Sequence, residues 1–286
     1  MRASASVSIV MPCRDAAATI EQALRSALSQ SVAALEIVVA DGGSGDATRK
    51  IAQGFNGIRV LDGDDDGLYE GLNRAIAAAR GEFVLLLNAD DELPTGTLDT
   101  YQAAIAREPQ CDLWTGSARF HGALTLQLMP SVPMTPASTL HGIPSINSRL
   151  YRRRLLQAMP FEQDWGFAAD RAFIHRIACS QVRRGRVDTD TYIYHAHDGS
   201  TTLDQSEKTR ARVRYAEREL AAAMTERVNG NATSGLDARA VHGFRVAQQL
   251  KAIRNADRPS LSFADLMVAP RAIRDWRRYR GQMCGW

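Results

Sequence analysis

Carboxylates gather at three points of the chain where a substrate would find them exposed together. Asp41 opens the turn-rich segment Asp41-Gly42-Gly43-Ser44-Gly45-Asp46. Residues 62–66 contain Asp62, Asp64, Asp65 and Asp66. Asn88-Ala89-Asp90-Asp91-Glu92 follows the longest apolar run, Phe83–Leu87. Taken singly, each has a plain structural use: an Asx-turn for Asp41 and solvated turns for the others. Taken together, they offer oxygen ligands for a hard divalent cation, which often shares one or two carboxylates with substrate phosphates. Such a cation can neutralise charge on a departing diphosphate.

The elements that must position these acids are legible as short buried strands alternating with helices. Val7–Met11, Leu35–Ala40, Ile58–Leu61 and Glu82–Leu87 read as strands. Ile20–Leu28, Ala47–Gln53, Gly67–Ala79 and Thr95–Arg107 read as helices, with a capping-box pattern at Thr19–Gln22 and Asp46 as a cap. The alternation predicts an α/β fold: a mostly parallel sheet with helices on both faces. In such sheets ligands bind beyond the carboxyl ends of the strands, where all three acidic groups fall. After Asp112 the rhythm changes. Leu150–Met159 and Ala169–Cys179 read as helices, Asp188–His195 as a strand, and Glu207–Met224 and Ala238–Asn255 as helices flanking a Gly/Asn/Ser-rich linker.

The formal net charge of +3 conceals a division. Residues 1–206 hold 24 acidic against 19 basic side chains, and residues 207–286 hold 8 against 16. The acidic front is no surface for nucleic acid. The four cysteines are scattered without metal-ligand spacing, and no apolar run is long enough to cross a bilayer. With no signal-peptide pattern either, the expected location is cytoplasmic.

The segments SIVMPCRD, VVADGGSGDAT, DDDGLYEGLNRAI and GEFVLLLNADDEL occur in that order within residues 7–93. This succession resembles the family 2 glycosyltransferases of bacterial polysaccharide synthesis, which have the GT-A fold. In that family the first strand ends in a Pro-x-x-Asn-like turn, matched by Pro12-Cys13-Arg14-Asp15. Asp41–Thr48 matches Asp-Gly-Gly-Ser-x-Asp-x-Thr, and Asp65–Asn73 matches Asp-x-Gly-hydrophobic-Tyr-x-x-x-Asn. Asn88-Ala89-Asp90 stands at the metal-binding Asp-x-Asp, with Asn88 in its first position. The resemblance implies a nucleotide-diphosphate-sugar donor, a UDP-sugar before a GDP- or dTDP-sugar, and Mn²⁺ or Mg²⁺ as cofactor. It implies that Asp41 contacts the base and Asp65 the nucleotide. Pro12, Arg14, Asn73, Asn88 and Ala89 line the donor site, and Asp90 and Asp91 take the metal.

Ala169-Asp170-Arg171-Ala172-Phe173 is similar to the family's second-half motif, whose Asp is the general base; Asp170 holds that place. Without the resemblance Asp170 reads as a helix cap or ion-pair partner. Tyr194–Thr201 resembles the family's His-x-x-Ser segment, so that His197 completes the metal shell or contacts the diphosphate. His141, Glu162 and Trp165 are candidates for an acceptor pocket. The implied acceptor is a glycan or lipid-linked precursor.

The expected organisation is a nucleotide-sugar half over 1–112, an acceptor half over 113–206 and a basic helical extension over 207–286. The extension mixes Arg with Trp276 and Tyr279. It can lie on the anionic inner face of the membrane as a peripheral contact. The other readings of this tail are a helix packed on the catalytic domain and a self-association element that makes a homodimer. Two other function classes stay open at this point: a nucleotidyltransferase on a similar sheet, though no glycine loop follows the first strand, and a binding or scaffold protein that keeps the fold. A dinucleotide-dependent oxidoreductase lacks its GxGxxG.

Overall fold

The computed structural model describes residues 5–122, 128–129, 134–141, 145–196, 206–230, 236–254 and 274. Among them eight strands form one sheet: β1 (Val7–Cys13), β2 (Glu36–Gly42), β3 (Ile58–Gly63), β4 (Phe83–Leu86), β5 (Leu113–Gly122), β6 (Leu128–Met129), β7 (Arg149–Arg152) and β8 (Arg184–Ala196). The helices are α1 (Ile20–Leu28), α2 (Thr48–Gln53), α3 (Leu68–Ala78), α4 (Thr97–Arg107), α5 (Pro136–His141), α6 (Arg153–Ala158), α7 (Ala169–Cys179), α8 (Glu207–Gly230) and α9 (Ala238–Arg254).

The sheet order is β3-β2-β1-β4-β7-β5-β6, with β8 also paired to β5. The first four strands are parallel to one another, and β7 runs antiparallel to both β4 and β5. Every residue of β1, β2 and β4 is buried, which accounts for their continuous apolar runs. Ile9, Met11, Ile37, Val39, Phe83 and Leu85 share one core cluster with Ile20 and Leu24 of α1 and Leu98 and Tyr101 of α4. The alternate residues Val10, Val38, Val84 and Leu86 are buried too, and by the two-residue period of a strand they face the opposite side. The helix α3 packs against β1 and β2.

Strands β2 and β3 were grown outward from β1, and β4 then returns to its other side. This reversal between β1 and β4 is where a doubly wound sheet opens a crevice at its carboxyl edge. The register puts Cys13, Asp41 and Asp62 in one row across β1, β2 and β3 at that edge.

Three local expectations are corrected. Residues 150–152, expected to start a helix, belong to β7, and the helix begins only at Arg153. Leu150 and Tyr151 pair with Leu85 and Val84 and are fully buried, so sheet pairing overrides a short helical pattern. The capping box at Thr19 does not form. The Thr19 hydroxyl donates to the Ala16 carbonyl at 3.4 Å, and the Gln22 amide reaches Glu92 instead. Asp46 accepts the Thr48 backbone N–H at 2.9 Å, but the helix starts at Thr48 and Ala47 holds the cap position.

The chain forms two compact units, interleaved in sequence. The first comprises Met1–Ser131, Ile146–Gln163 and Val182–Ser200, and holds the sheet. The second comprises Val132–Ser145, Asp164–Gln181 and Thr201–Trp286. Its core joins Leu140 of α5, Ala172 of α7, Leu220, Ala221 and Met224 of α8, and Val241 and Phe244 of α9. Glu217, Leu220, Ala221 and Met224 form the buried stripe of the otherwise charged α8, at helical spacing. No helix among the described residues is long and apolar enough to cross a membrane.

Candidate active site

At the carboxyl edge of the sheet, Asp41 is completely buried. Its Oδ2 accepts Arg49 Nε at 3.0 Å and Nη2 at 2.8 Å, and the Ser44 N–H at 3.3 Å. Its Oδ1 accepts the Ser44 hydroxyl. Burial alone would raise this carboxyl, but the hydrogen bonds from Ser44 and Arg49 outweigh it and hold Asp41 below its ordinary value. The turn after β2 is therefore built around an ionised Asp41. Beside it the Cys13 thiol is pushed up to about 12 by burial and by Asp41, so it stays protonated.

Arg74, on α3, ties three segments together. Its Nη1 donates to the Asp62 carbonyl at 2.8 Å, and its Nη2 to the Asp41 carbonyl at 2.8 Å and to Asp65 Oδ2 at 3.0 Å. Asp65 is buried, and burial pushes its carboxyl up against the attraction of Arg74. The close packing requires glycine nearby: a Cβ on Gly71 would sit 2.6 Å from Asp65 Oδ2. Arg14 reaches the Asp65 carbonyl at the long distance of 3.5 Å. Pro12, buried within β1, lies next to Gly71 across this packing. Asn73 uses both ends of its amide on the Phe161 main chain, donating to its carbonyl at 2.9 Å and accepting its N–H at 3.0 Å. Tyr69 stacks on the Phe161 ring, with centroids 5.7 Å apart. The Asp65–Asn73 motif thus fixes the segment at Phe161 as well as the loop after β3.

After β4 the two acids part company. Asp91 is buried, and its Oδ2 accepts the Tyr192 hydroxyl at 2.7 Å and the Asn88 amide at 3.0 Å, while Oδ1 accepts the His195 N–H at 3.0 Å. Burial, with the Asp90 charge next to it, raises its carboxyl to about 7. The Asn88 backbone N–H also donates to the Tyr192 hydroxyl at 3.1 Å, and Ala89 is buried. Asp90 is only partly buried in the same loop. The His195 ring meets the Glu92 carboxylate and lies edge-on to His121.

These donors can be compared with the needs of a hard cation. Asp41 and Asp65 are ion-paired to arginines, and Asp91 uses both oxygens on hydrogen bonds to Tyr192 and His195 of β8 and to Asn88. Asp90 is a partly buried carboxylate in the loop after β4, and carboxylate oxygens are the ligand type that Mn²⁺ and Mg²⁺ take. Among the described residues no group of three His, Cys, Asp or Glu side chains is assembled for a metal. Asp91 lies next to Asp90 in sequence, and its hydrogen bonds to Tyr192 and His195 fix the loop that carries both. His197 lies outside the described residues.

In the second unit Asp170 stands inside the first turn of α7; Ala168 holds the cap position. The next residue, Arg171, donates to the Thr139 and Leu140 carbonyls at 3.1 and 2.7 Å and to Glu217 at 2.9 Å, over the face of Phe244. Lys251 meets the other Glu217 oxygen at 3.2 Å. The start of α7 is thereby anchored to α5, α8 and α9. His141 is buried beside Phe244, and burial with the nearby Arg171 pushes its imidazole down to about 4. Glu162 is partly buried in the first unit, and Trp165 partly buried in the second, with Arg227 over its ring at 5.9 Å. The structure thus brings together Pro12, Arg14, Asp41 and Asp65, and separately Asn88, Ala89, Asp90 and Asp91, along one sheet edge.

Sequence reasoning missed Arg49, Arg74, Tyr192 and the His195 amide. One signal for the arginines was present: an acidic row at buried strand ends needs a counter-charge, and Arg74 stands beside Asn73 in the motif.

Over 115 residues the chain is 36% identical to the PGL/p-HBAD biosynthesis glycosyltransferase of Mycobacterium tuberculosis, a match covering 38% of this chain and 45% of the relative. It thus spans less than half the length of that relative. S. aureus TarS (residues 1–349), solved in complex with UDP-GlcNAc, superposes with a TM-score of 0.66 at 17% identity over 96% of this chain and 81% of TarS. The mannosyltransferase PcManGT of Pyrobaculum calidifontis, in complex with GDP-Man and Mn²⁺, gives a TM-score of 0.57 at 18% identity, covering 98% and 83% of the two chains. These likenesses show a GT-A type fold. Residues 8–177, more than half of the chain, match the family model for glycosyl transferase family 2, and the chain belongs to that family.

Proposed function

We propose that the protein is a metal-dependent, inverting glycosyltransferase. It moves a sugar from a nucleotide-diphosphate donor, a UDP-sugar first, to a hydroxyl of a cell-surface glycan or its lipid-linked precursor. The observation that carries this is the set of acids that end or follow β2, β3 and β4 along the carboxyl edge of the sheet, in a chain whose family match extends through Asp170. The relative named a PGL/p-HBAD biosynthesis glycosyltransferase supports the transferase reading, and the nucleotide-sugar complexes of the structural neighbours support the choice of donor class.

In this reading the turn built on Asp41 and Arg49 receives the base, and the Asp65–Arg74 pair supports the nucleotide. Pro12, Arg14, Asn73, Asn88 and Ala89 shape the donor cradle, with Asn73 acting through Phe161. Asp90 holds the cation, with Asp91, hydrogen-bonded to Tyr192 and His195, fixing its loop. When bound, the cation offsets the charge that develops on the diphosphate. Asp170 takes the proton from the acceptor hydroxyl as that oxygen attacks the anomeric carbon, and the nucleoside diphosphate departs from the opposite face. His197 is kept as a contact to metal or diphosphate, and Glu162 and Trp165 as acceptor contacts. His141, being buried, is assigned to the frame of that side. The basic residues after 206 place the protein against the anionic cytoplasmic membrane face, as a peripheral contact.

The test is release of nucleoside diphosphate from UDP-, GDP- and dTDP-sugars with Mn²⁺ or Mg²⁺, using wild type, Asp90→Ala and Asp170→Asn. Turnover with one donor, lost in Asp90→Ala, is expected. Asp170→Asn is expected to lose transfer to acceptor. Full activity in both variants refutes the assignment, and no turnover of any donor refutes the enzyme reading.

A further inference from the structure

Within the second unit, an open cleft of about 440 Å³ lies between the segment 164–167 and α8. Its volume is that of a small-ligand site. Trp165 and Phe167 line it from the first side and Tyr215 from the second. Phe167 is 41% exposed and Tyr215 60% exposed, although large apolar rings ordinarily turn inward. Gly166 separates Trp165 from Phe167 with a left-handed φ of 45°, a conformation that favours glycine, and this kink interrupts the 3-10 turns between the two aromatics. Asp164, Arg212 and Glu219 complete the lining.

The chemistry of this surface selects among occupants. The exposed Phe167 and Tyr215 rings offer apolar platforms beside Trp165, whose ring carries Arg227, while two carboxylates and one guanidinium line the same cleft. Neither sign of charge dominates, so a phosphorylated lipid headgroup or a polycation is a poor match. A purely apolar chain would leave the carboxylates and the guanidinium against hydrocarbon. A neutral polyhydroxylated ligand satisfies both requirements: its C–H faces lie on the rings and its hydroxyls meet Asp164, Arg212 and Glu219. We infer that this cleft is a carbohydrate subsite that holds a neutral sugar unit of the acceptor glycan. The inference deepens the proposed function and rests on it for the word acceptor, while the binding itself stands on the cleft.

The experiment is binding of the full chain, without donor or metal, to an array of neutral and anionic oligosaccharides. Wild type, Phe167→Ala, Tyr215→Ala and the ring-preserving Tyr215→Phe are compared, each checked by circular dichroism. Retention of neutral glycans is expected, reduced tenfold or more in both alanine variants and kept in Tyr215→Phe. Donor turnover in the absence of acceptor should be the same in all four proteins. Absence of glycan retention by wild type, equal retention by the alanine variants, or retention of anionic glycans alone overturns the cleft. A concentration-dependent dimer lost in Tyr215→Ala, with no glycan retention, assigns the surface to a second copy and also overturns it. Loss of donor turnover in every protein, with glycan binding intact, strikes the proposed enzyme activity and leaves the subsite standing.

Discussion

Replacing Arg74 by Met tests whether one guanidinium holds the donor edge together. The side chain has roughly the same reach but no charge and no donors. It leaves the Asp62 and Asp41 carbonyls without their 2.8 Å donor and the buried Asp65 carboxylate without its counter-charge. Breaking a buried ion pair by removing one partner costs about 3–5 kcal/mol. The Arg74 side chain is 28% exposed, so water softens the loss, and about 3 kcal/mol is expected. Arg74→Lys should cost less, about 1–2 kcal/mol, because a single ammonium cannot span three acceptors. Burial already pushes the Asp65 carboxyl up while Arg74 pulls it down, so the unpaired carboxylate is the main source of the penalty. Asp65→Asn in the Arg74→Met background should therefore recover part of the loss, a coupling visible in a double-mutant cycle. Urea denaturation followed by fluorescence measures the stability, and calorimetric titration with UDP measures the site. A loss below 1 kcal/mol in Arg74→Met, with additive effects of the two substitutions and unchanged nucleotide affinity, would refute the clamp.

The second unit should lose stability in acid in two stages. Burial keeps His141 and His175 neutral down to about pH 4, against an ordinary value of 6.5, so the unfolded chain gains protons first and stability falls from about pH 6.5 towards 4. Burial opposes ionisation of Glu217, but Arg171 and Lys251 bring it down to about 2 from 4.5. Its contribution, about 3 kcal/mol, is complete above pH 4.5 and is lost as the pH falls towards 2. Denaturation across pH 2–8 should show the lower stage abolished in Glu217→Gln and the upper stage kept; an unchanged lower stage would contradict the Arg171–Glu217–Lys251 network. Gly71→Ala should cost about 1–3 kcal/mol and weaken nucleotide binding, since the added methyl meets Asp65 at 2.6 Å. A variant with wild-type melting and UDP affinity would show that the Asp65 loop yields freely.

Much of the donor edge could be read in advance because its signals are local. Apolar runs of four to seven residues, turn glycines and helical spacing are properties of neighbouring residues, and they suffice for β1–β4 and α1–α4. The same locality explains the misses. Residues 150–152 have a sequence that either a helix or a strand can use, and the open edge of β4 decided for the strand. Thr19 and Gln22 have the residue types of a capping box, but Gln22 found Glu92, seventy positions away, a partner no window around α1 contains.

The sequence alone determined where carboxylates stand along the chain, the α/β alternation that carries them to strand ends, and the family likeness that gives those ends a use. Only the tertiary structure decided what each carboxylate is for. Asp41 and Asp65 became ionic anchors because α2 and α3 bring Arg49 and Arg74 to them. Asp91 was taken inward because β8 returns about a hundred residues later, bringing the Tyr192 hydroxyl and the His195 amide to its oxygens, and Asp90 was left towards the edge. The charge state of an acid depends on burial and on partners within a few ångströms, and those partners are set by how strands and helices pack.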